Sequence, residues 1–207
     1  MPFHASLTLA ALLACAGSAY AASTTQLAVQ GSITPSACQP VLSAGGNVDH
    51  GKLSAKDLKP DDYTLLQRAT MSFAINCEGP TLLALKTLDN RNGTAIFPDW
   101  HAHGLGTTAA GENLGSVSFS LNDTVADSVP VTHIMSTDGG ETWSPASPLG
   151  HSALTAFAPN GGPYQPIAVQ AVNATLAVYT TLNKAADLTL TDEVPIDGHA
   201  TLEVIYL

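Results

Sequence analysis

Apolar and polar residues alternate along much of the chain. ATMSFAINC (69–77) places Met71, Phe73, Ile75 and Cys77 on one face. GSVSFSLN (115–122) places Val117, Phe119 and Leu121 on one face and Ser or Asn on the other. HATLEVIYL (199–207) does the same with Ala200, Leu202, Val204 and Tyr206. A period of two with β-branched and aromatic enrichment predicts half-buried strands. QPIAVQAVNATLAVYTTL (165–182) is longer and predicts two strands or one bent strand. The turn clusters SAGGN, DNRNG, STDGG, PNGGP and PIDG separate these runs. One weak helical pattern, LSAKDLKPDDY (53–63), is broken by Pro60. Short strands divided by Gly- and Pro-rich turns predict an all-β protein, an antiparallel β-sandwich. No internal repeat or linker marks a second domain, so residues 22–207 are expected to form one.

The first 21 residues stand outside that pattern. ASLTLAALLACA (5–16) is an apolar run too short to span a bilayer, and Ala19-Tyr20-Ala21 puts small residues at −3 and −1. Residues 1–21 therefore read as a signal peptide cleaved after Ala21, although MPFH carries no Lys or Arg. A lipoprotein signal is the alternative, since Leu12-Leu13-Ala14-Cys15 loosely resembles a lipobox. Cleavage removes Cys15 and leaves Cys38 and Cys77. Two cysteines in an exported chain read as one disulfide, with free buried thiols as the rival. The bridge would close a loop of about 40 residues, worth roughly 4 kcal/mol in the chain-entropy model. Seventeen acidic residues against seven basic ones give a net charge of −10 with no basic block, which argues against a nucleic-acid partner.

Candidate chemistry is sparse. Ser136-x-Asp138-x-Gly140-x-Thr142-Trp143 resembles the Asp-box, a hairpin motif repeated in sialidase propellers. A propeller needs several blades, and sialidases hold the substrate carboxylate with three arginines. This chain has one copy of the motif and only Arg68 and Arg91. The motif therefore reads as a tight hairpin with Trp143 packed beneath it, and sugar stacking on an exposed Trp143 is the alternative. Asp99-Trp100-His101-Ala102-His103 sets two histidines two apart, a spacing that chelates metal on a strand. The surrounding PDWHAHGLG is loop-like, so solvated histidines are expected and no metal site is assigned. No G-x-S-x-G elbow and no Gly-rich phosphate loop is present. Neither catalytic residues nor a cofactor are expected. Asn92-Gly93-Thr94, Asn122-Asp123-Thr124 and Asn173-Ala174-Thr175 are glycosylation sequons, relevant only in a eukaryotic secretory pathway.

The two ends of the exported chain are more informative. In ASTTQLAVQGSITPSAC, Leu27, Val29, Gly31 and Ile33 alternate with Ala28, Gln30, Ser32 and Thr34, and Cys38 follows Gly31 by seven residues. The second cysteine closes FAINCEG, NVDHGKLSAKDL (47–58) follows the first, and the chain stops inside a strand with Tyr206 penultimate. This set resembles bacterial fimbrial subunits assembled by the chaperone–usher route. Within that group it is similar to fimbrial-type domains of unknown function, some labelled probable beta-fimbriae major subunits, and to archaic pilins related to spore-coat protein U. The resemblance covers both ends and the region from Cys38 to Cys77, and covers residues 100–165 poorly.

The resemblance implies an immunoglobulin-like, pilin-type sandwich that lacks its last strand. A periplasmic chaperone lends a strand to the open groove, and the N-terminal extension of the next subunit later replaces it. Leu27, Val29, Gly31 and Ile33 would be the donor positions, with Gly31 where the groove is shallow. Leu202, Val204 and Tyr206 would form the chaperone-facing strand. The implied function is a structural subunit of a fimbria or fimbria-like assembly, without enzymatic activity. Its implied partners are a periplasmic chaperone, an outer-membrane usher and other fimbrial subunits, with a glycan receptor as a further candidate. It would pass through the periplasm to the cell surface. Two features depart from the usual pattern: only residues 22–37 precede Cys38, and the exported part is longer than a usual pilin. Residues 27–33 also read as an ordinary edge strand. The alternative function is a periplasmic or surface carbohydrate-binding β-sandwich with an aromatic platform around Trp100 or Trp143.

Overall fold

The computed structural model of the protein describes residue 28 and residues 37–207. The signal peptide and the positions Leu27, Val29, Gly31 and Ile33 lie outside the described residues. Eleven strands are described in chain order. They are β1 (Cys38–Leu42), β2 (Thr64–Leu65), β3 (Ala69–Asp89), β4 (His103–Gly104), β5 (Gly115–Ala126) and β6 (Val129–Ser136). After them come β7 (Ser144–Pro145), β8 (Pro148–Leu149), β9 (Leu154–Pro159), β10 (Ala168–Leu182) and β11 (Ala200–Tyr206). Every pairing among them is antiparallel. The only helical turns described are short 3-10 segments. The pattern over 53–63 yields one of them, Ala55–Asp57, because Pro60 cannot continue a helix.

β3 organises the fold. Its first half pairs with β1 and with β10, and its second half pairs with β11 and touches β9 at Leu85. β9 continues to β6, β6 to β5 and β5 to β10, so five strands form a closed ring of pairings. The all-β, antiparallel expectation holds at this level. The architecture is a ring built on one strand shared between two sheets, a finer form than sequence alternation defines.

The break in β3 has a local cause. Pro80 has no N–H to give the ladder, so the β10 register shifts between Val169 and Ala171. The amides thereby released are capped from the β5–β6 turn. Asp127 Oδ1 accepts from Ala171 N at 2.8 Å and Asp127 Oδ2 from Gln170 N at 3.1 Å. Asp127 and Ser128 both have positive φ, the two-residue turn that matches the twist of a hairpin.

Met71, Phe73, Ile75 and Cys77 are buried, as their alternation predicts. Beyond Pro80 the alternation resumes, with Thr81, Leu83, Leu85, Thr87 and Asp89 buried and Leu82 and Leu88 exposed, and only Ala84 is buried on the opposite face. Leu83 and Leu85 join Phe73, Leu121, Val172 and Phe157 in the main core. Ala84 joins a smaller cluster with Ile134, Ala156 and Ala158, roofed by Trp143. The long segment 165–182 gives one bulged strand rather than two.

Candidate functional site

An apolar groove opens beside the C-terminal strand. Its floor is formed by Leu105, Val117, Leu149, Leu176 and Val178, all buried, and it encloses about 240 Å³. Two chain segments line its mouth, residues 46–50 and residues 196–202. Among the described residues no backbone hydrogen bond joins these two segments. β11 has β3 as its one strand partner among the described residues. Leu202 and Val204 pack against the core yet stay only half-buried, while Tyr206 is exposed. The C-terminal alternation was therefore placed on the right strand, but its apolar face is incompletely covered.

The mouth segments are fixed by polar anchors. The 188–199 strap is tied at one end by Glu112, whose Oε2 accepts from Thr189 N at 2.6 Å and Oε1 from Thr189 Oγ1 at 2.9 Å. The Thr189 N–H holds the Glu112 carboxyl below the usual carboxylate range. At the other end Arg91 grips Asp197 through a fork, Nε to Oδ2 at 2.9 Å and Nη2 to Oδ1 at 2.7 Å. That pairing lowers the Asp197 pKa and raises that of Arg91. Between these anchors Val194 and Ile196 lean on the core. On the facing segment, Asp49 Oδ1 accepts from Gly51 N at 2.7 Å, and Gly51 takes positive φ to close the turn. His50 Nε2 meets Thr180 Oγ1 at 2.9 Å. Farther along, Lys52 Nζ reaches Glu193 Oε2 at 3.2 Å between two well-exposed side chains.

Cys38 and Cys77 form a disulfide across directly opposed positions of β1 and β3. β1 and β11 lie along successive stretches of β3 and meet where Cys38 N donates to Tyr206 Oη at 3.0 Å. The bridge thus fixes β1, which leads through the turn Ser43–Gly46 into the mouth segment at residues 46–50.

The Asp-box-like stretch is a self-satisfied hairpin between β6 and β7. Asp138 Oδ1 accepts from Ser136 Oγ at 2.6 Å, Thr142 N at 3.0 Å and Glu141 N at 3.1 Å. Thr142 Oγ1 donates to Asp138 Oδ2. The Ser136 hydroxyl and the Thr142 groups hold the Asp138 carboxyl far below its ordinary range. Ser136 Oγ also accepts from Gly140 N at 2.8 Å, and Trp143 Nε1 donates to Gly140 O at 3.0 Å. Trp143 is half-buried and caps the small cluster around Ala84. Trp100 is also half-buried and lies against Gly150, where even a Cβ would clash with the indole ring. Both indoles are engaged by their own chain.

The expectation of solvated histidines at 101 and 103 fails for His103. It is fully buried, with Nε2 at 2.8 Å from Thr87 Oγ1 and Nδ1 at 3.1 Å from His101 O, and its ring packs edge-on against Phe119. Sequence gave no sign of this, because Thr87 comes from the long strand β3. No group of His, Cys, Asp and Glu that could hold a metal is found among the described residues. Burial pushes the pKa of both His103 and His133 down. In the unfolded chain these histidines titrate near about 6.5. As pH falls below that value the unfolded chain takes up protons that the folded chain refuses. Stability should therefore be full above pH about 6.5 and decline on acidification toward the depressed folded values. Urea midpoints at pH 7.5 and 5.5 measure this, and His103→Gln with His133→Gln should flatten the slope.

Residues 27–101 match a family described as protein of unknown function (DUF1120). Protein GltF of Escherichia coli (strain K12) is 28% identical over the whole of both chains. The uncharacterized protein YhcF of the same organism is 25% identical over 94% of this chain and 98% of its own. The family match takes in β1, the mouth segment that follows it and all of β3. The strap and β11 on the other side of the groove lie beyond it, within the span shared with GltF.

Proposed function

We propose that this chain is an exported structural subunit of a fimbria or fimbria-like surface assembly, joined to its neighbours by donor-strand exchange. The observation that carries the reading is the open groove beside β11, with an apolar floor and no backbone pairing between its two mouth segments among the described residues. A sheet edge beside wet apolar pockets favours an added strand, which pairs the backbone and fills the pockets with alternate side chains. On this reading the fold is an immunoglobulin-like sandwich without its last strand. A periplasmic chaperone fills the groove first, and Leu27, Val29, Gly31 and Ile33 of another subunit fill it at the outer-membrane usher.

The reading is of a non-enzymatic protein that moves through the periplasm to the cell surface. The carbohydrate-binding alternative needs an exposed aromatic platform, and the packing of Trp100 and Trp143 does not favour it. Co-expression with a candidate periplasmic chaperone and outer-membrane usher should yield surface fibres that contain this chain. Deleting residues 22–30 should stop fibre growth while sparing chaperone capture. A chain that stays monomeric in the presence of both partners contradicts the proposal.

A further inference from the structure

We propose that the outer face of the sheet β1–β3–β10–β5 carries a binding site for a neutral sugar residue of a glycan, in a cleft lined by Val41, Ser43, Ala74, Asp123, Asn173 and Thr175. The cleft shares no lining residue with the groove beside β11 and does not rest on the strand-acceptor reading. Strand register builds it. Val41, Ala74 and Asn173 stand in one row across β1, β3 and β10. In the next row Ser72 and Thr175 stand beside Asn122 of β5. Ala74 is the small residue of the first row, so the surface dips between Val41 and Asn173. The cleft holds about 450 Å³, within the range of small-molecule sites, roughly 300–1,000 Å³. A bulge shapes its far side. Between Asn173 and Thr175 the pairing with β5 shifts, and Asp123 takes a φ of 50°. Positive φ is uncommon outside glycine, though Asp tolerates it, and bulges re-aim side chains. Here Thr124 is buried, with its Oγ1 2.6 Å from His133 Nε2, and Asp123 is left exposed at the cleft.

The chemistry of the lining selects the ligand. β1, residues 69–77 of β3 and β10 carry no charged side chain, and β5 carries only Asp123. No Lys, Arg or His lines the cleft, so an anionic ligand would meet a carboxylate and no cation in a chain of net charge −10. Among the described residues the side chains of Asp123, Asn173 and Thr175 have no hydrogen-bond partner of their own. A carboxylate accepts, an amide donates and accepts, and a hydroxyl does either. Ser43 Oγ accepts from Ser72 N at 2.9 Å and keeps its proton to donate. A ligand for this set must offer several donors and acceptors close together without a negative charge. The adjacent hydroxyls of a pyranose do so, and exposed Val41 offers an apolar patch to its C–H face. A second protein fits less well, because this face lacks the apolar and aromatic centre of a stable interface. Trp100 and Trp143 take no part, so the sugar is held by hydrogen bonds and not by stacking.

The test is an NMR titration of the full chain with the methyl glycosides of glucose, galactose, mannose and N-acetylglucosamine. Methyl sialoside serves as the acidic probe and lysine amide as the cationic one. At least one neutral glycoside should bind and shift the amides of residues 72–74 and 173–175, and methyl sialoside should not. Asp123→Asn removes the charge but keeps a residue that tolerates positive φ, and it should weaken that binding about tenfold or more. Asn173→Ala should weaken it in the same direction. Ala74→Leu raises the floor with Asp123 and Asn173 in place and should abolish binding. The Asp123 and Asn173 variants cover an Ala74→Leu chain that fails to fold. The inference is overturned if no neutral glycoside binds, if lysine amide alone binds, if methyl sialoside binds as well as the neutral sugars, or if the folded variants bind as tightly as the unaltered chain.

Discussion

Replacing Cys38 and Cys77 with serine should lower the unfolding free energy by about 2–5 kcal/mol. The two residues are direct register partners on β1 and β3, 39 positions apart in sequence. Their bond removes the entropy of that loop from the unfolded chain. β1 is only five residues long and outward-facing over most of its length, with Val41 54% exposed. Little apolar burial would hold it in place without the bridge. Because β1 leads through the turn Ser43–Gly46 into the mouth segment, the loss should also loosen one wall of the groove. The urea midpoint should fall with the slope unchanged, and periplasmic material should show no alkylatable thiol in the unaltered chain. An unchanged midpoint would mean that β1 is held by other contacts.

Where one face of a strand is buried and the other solvated, the sequence was legible. The first half of β3 and most of β5 follow the expected faces, with Phe119 less deeply buried than its alternation suggests. The bridge between Cys38 and Cys77 was legible from their number, whereas strand β1 and its register on β3 were not. Legibility failed where both faces are covered. Around Ala84, the one position of this half of β3 buried on the second face, Leu82-Leu83-Ala84-Leu85 is a plain apolar run although Leu82 is exposed, which hides the extension of β3 past Gly79-Pro80. In β9, Thr155, Ala156, Phe157 and Ala158 are all buried, and no alternation survives. β6 begins with Val129-Pro130, which masks it as a strand.

The region 100–165, which resembles pilins poorly, is not an appendage. It supplies β5, β6 and β9, three of the five strands of the closed ring. The groove could not be read from sequence at all. Its walls come from residues near 48 and near 198, and its floor from β5, β8 and β10. Only the tertiary fold brings them together. The alternating C-terminus did point to one wall, but it could not show that Leu202 and Val204 remain half open. The Asp-box spacing did identify a local device, because all of its hydrogen bonds fall within residues 136–143.

The central claim is that this fold has a place for one more strand. Truncating residues 22–30 and supplying that part of the chain as a free peptide isolates this claim from export and assembly. Filling the groove with two or three large side chains should contribute roughly 1.5–3 kcal/mol each. For a domain of this size each kcal/mol moves the melting temperature by about 2–4 °C. A peptide of residues 22–36 at saturating concentration should therefore raise the melting temperature of the truncated chain by about 10 °C or more. The same peptide with Leu27, Val29 and Ile33 replaced by serine should not. Calorimetric melting of the truncated chain with and without the peptide is the deciding measurement. A concentration-dependent rise that requires the apolar residues is the expected result. A stable monomer whose melting temperature is the same with either peptide, or with none, would contradict the strand-acceptor reading and leave a self-contained sandwich in its place.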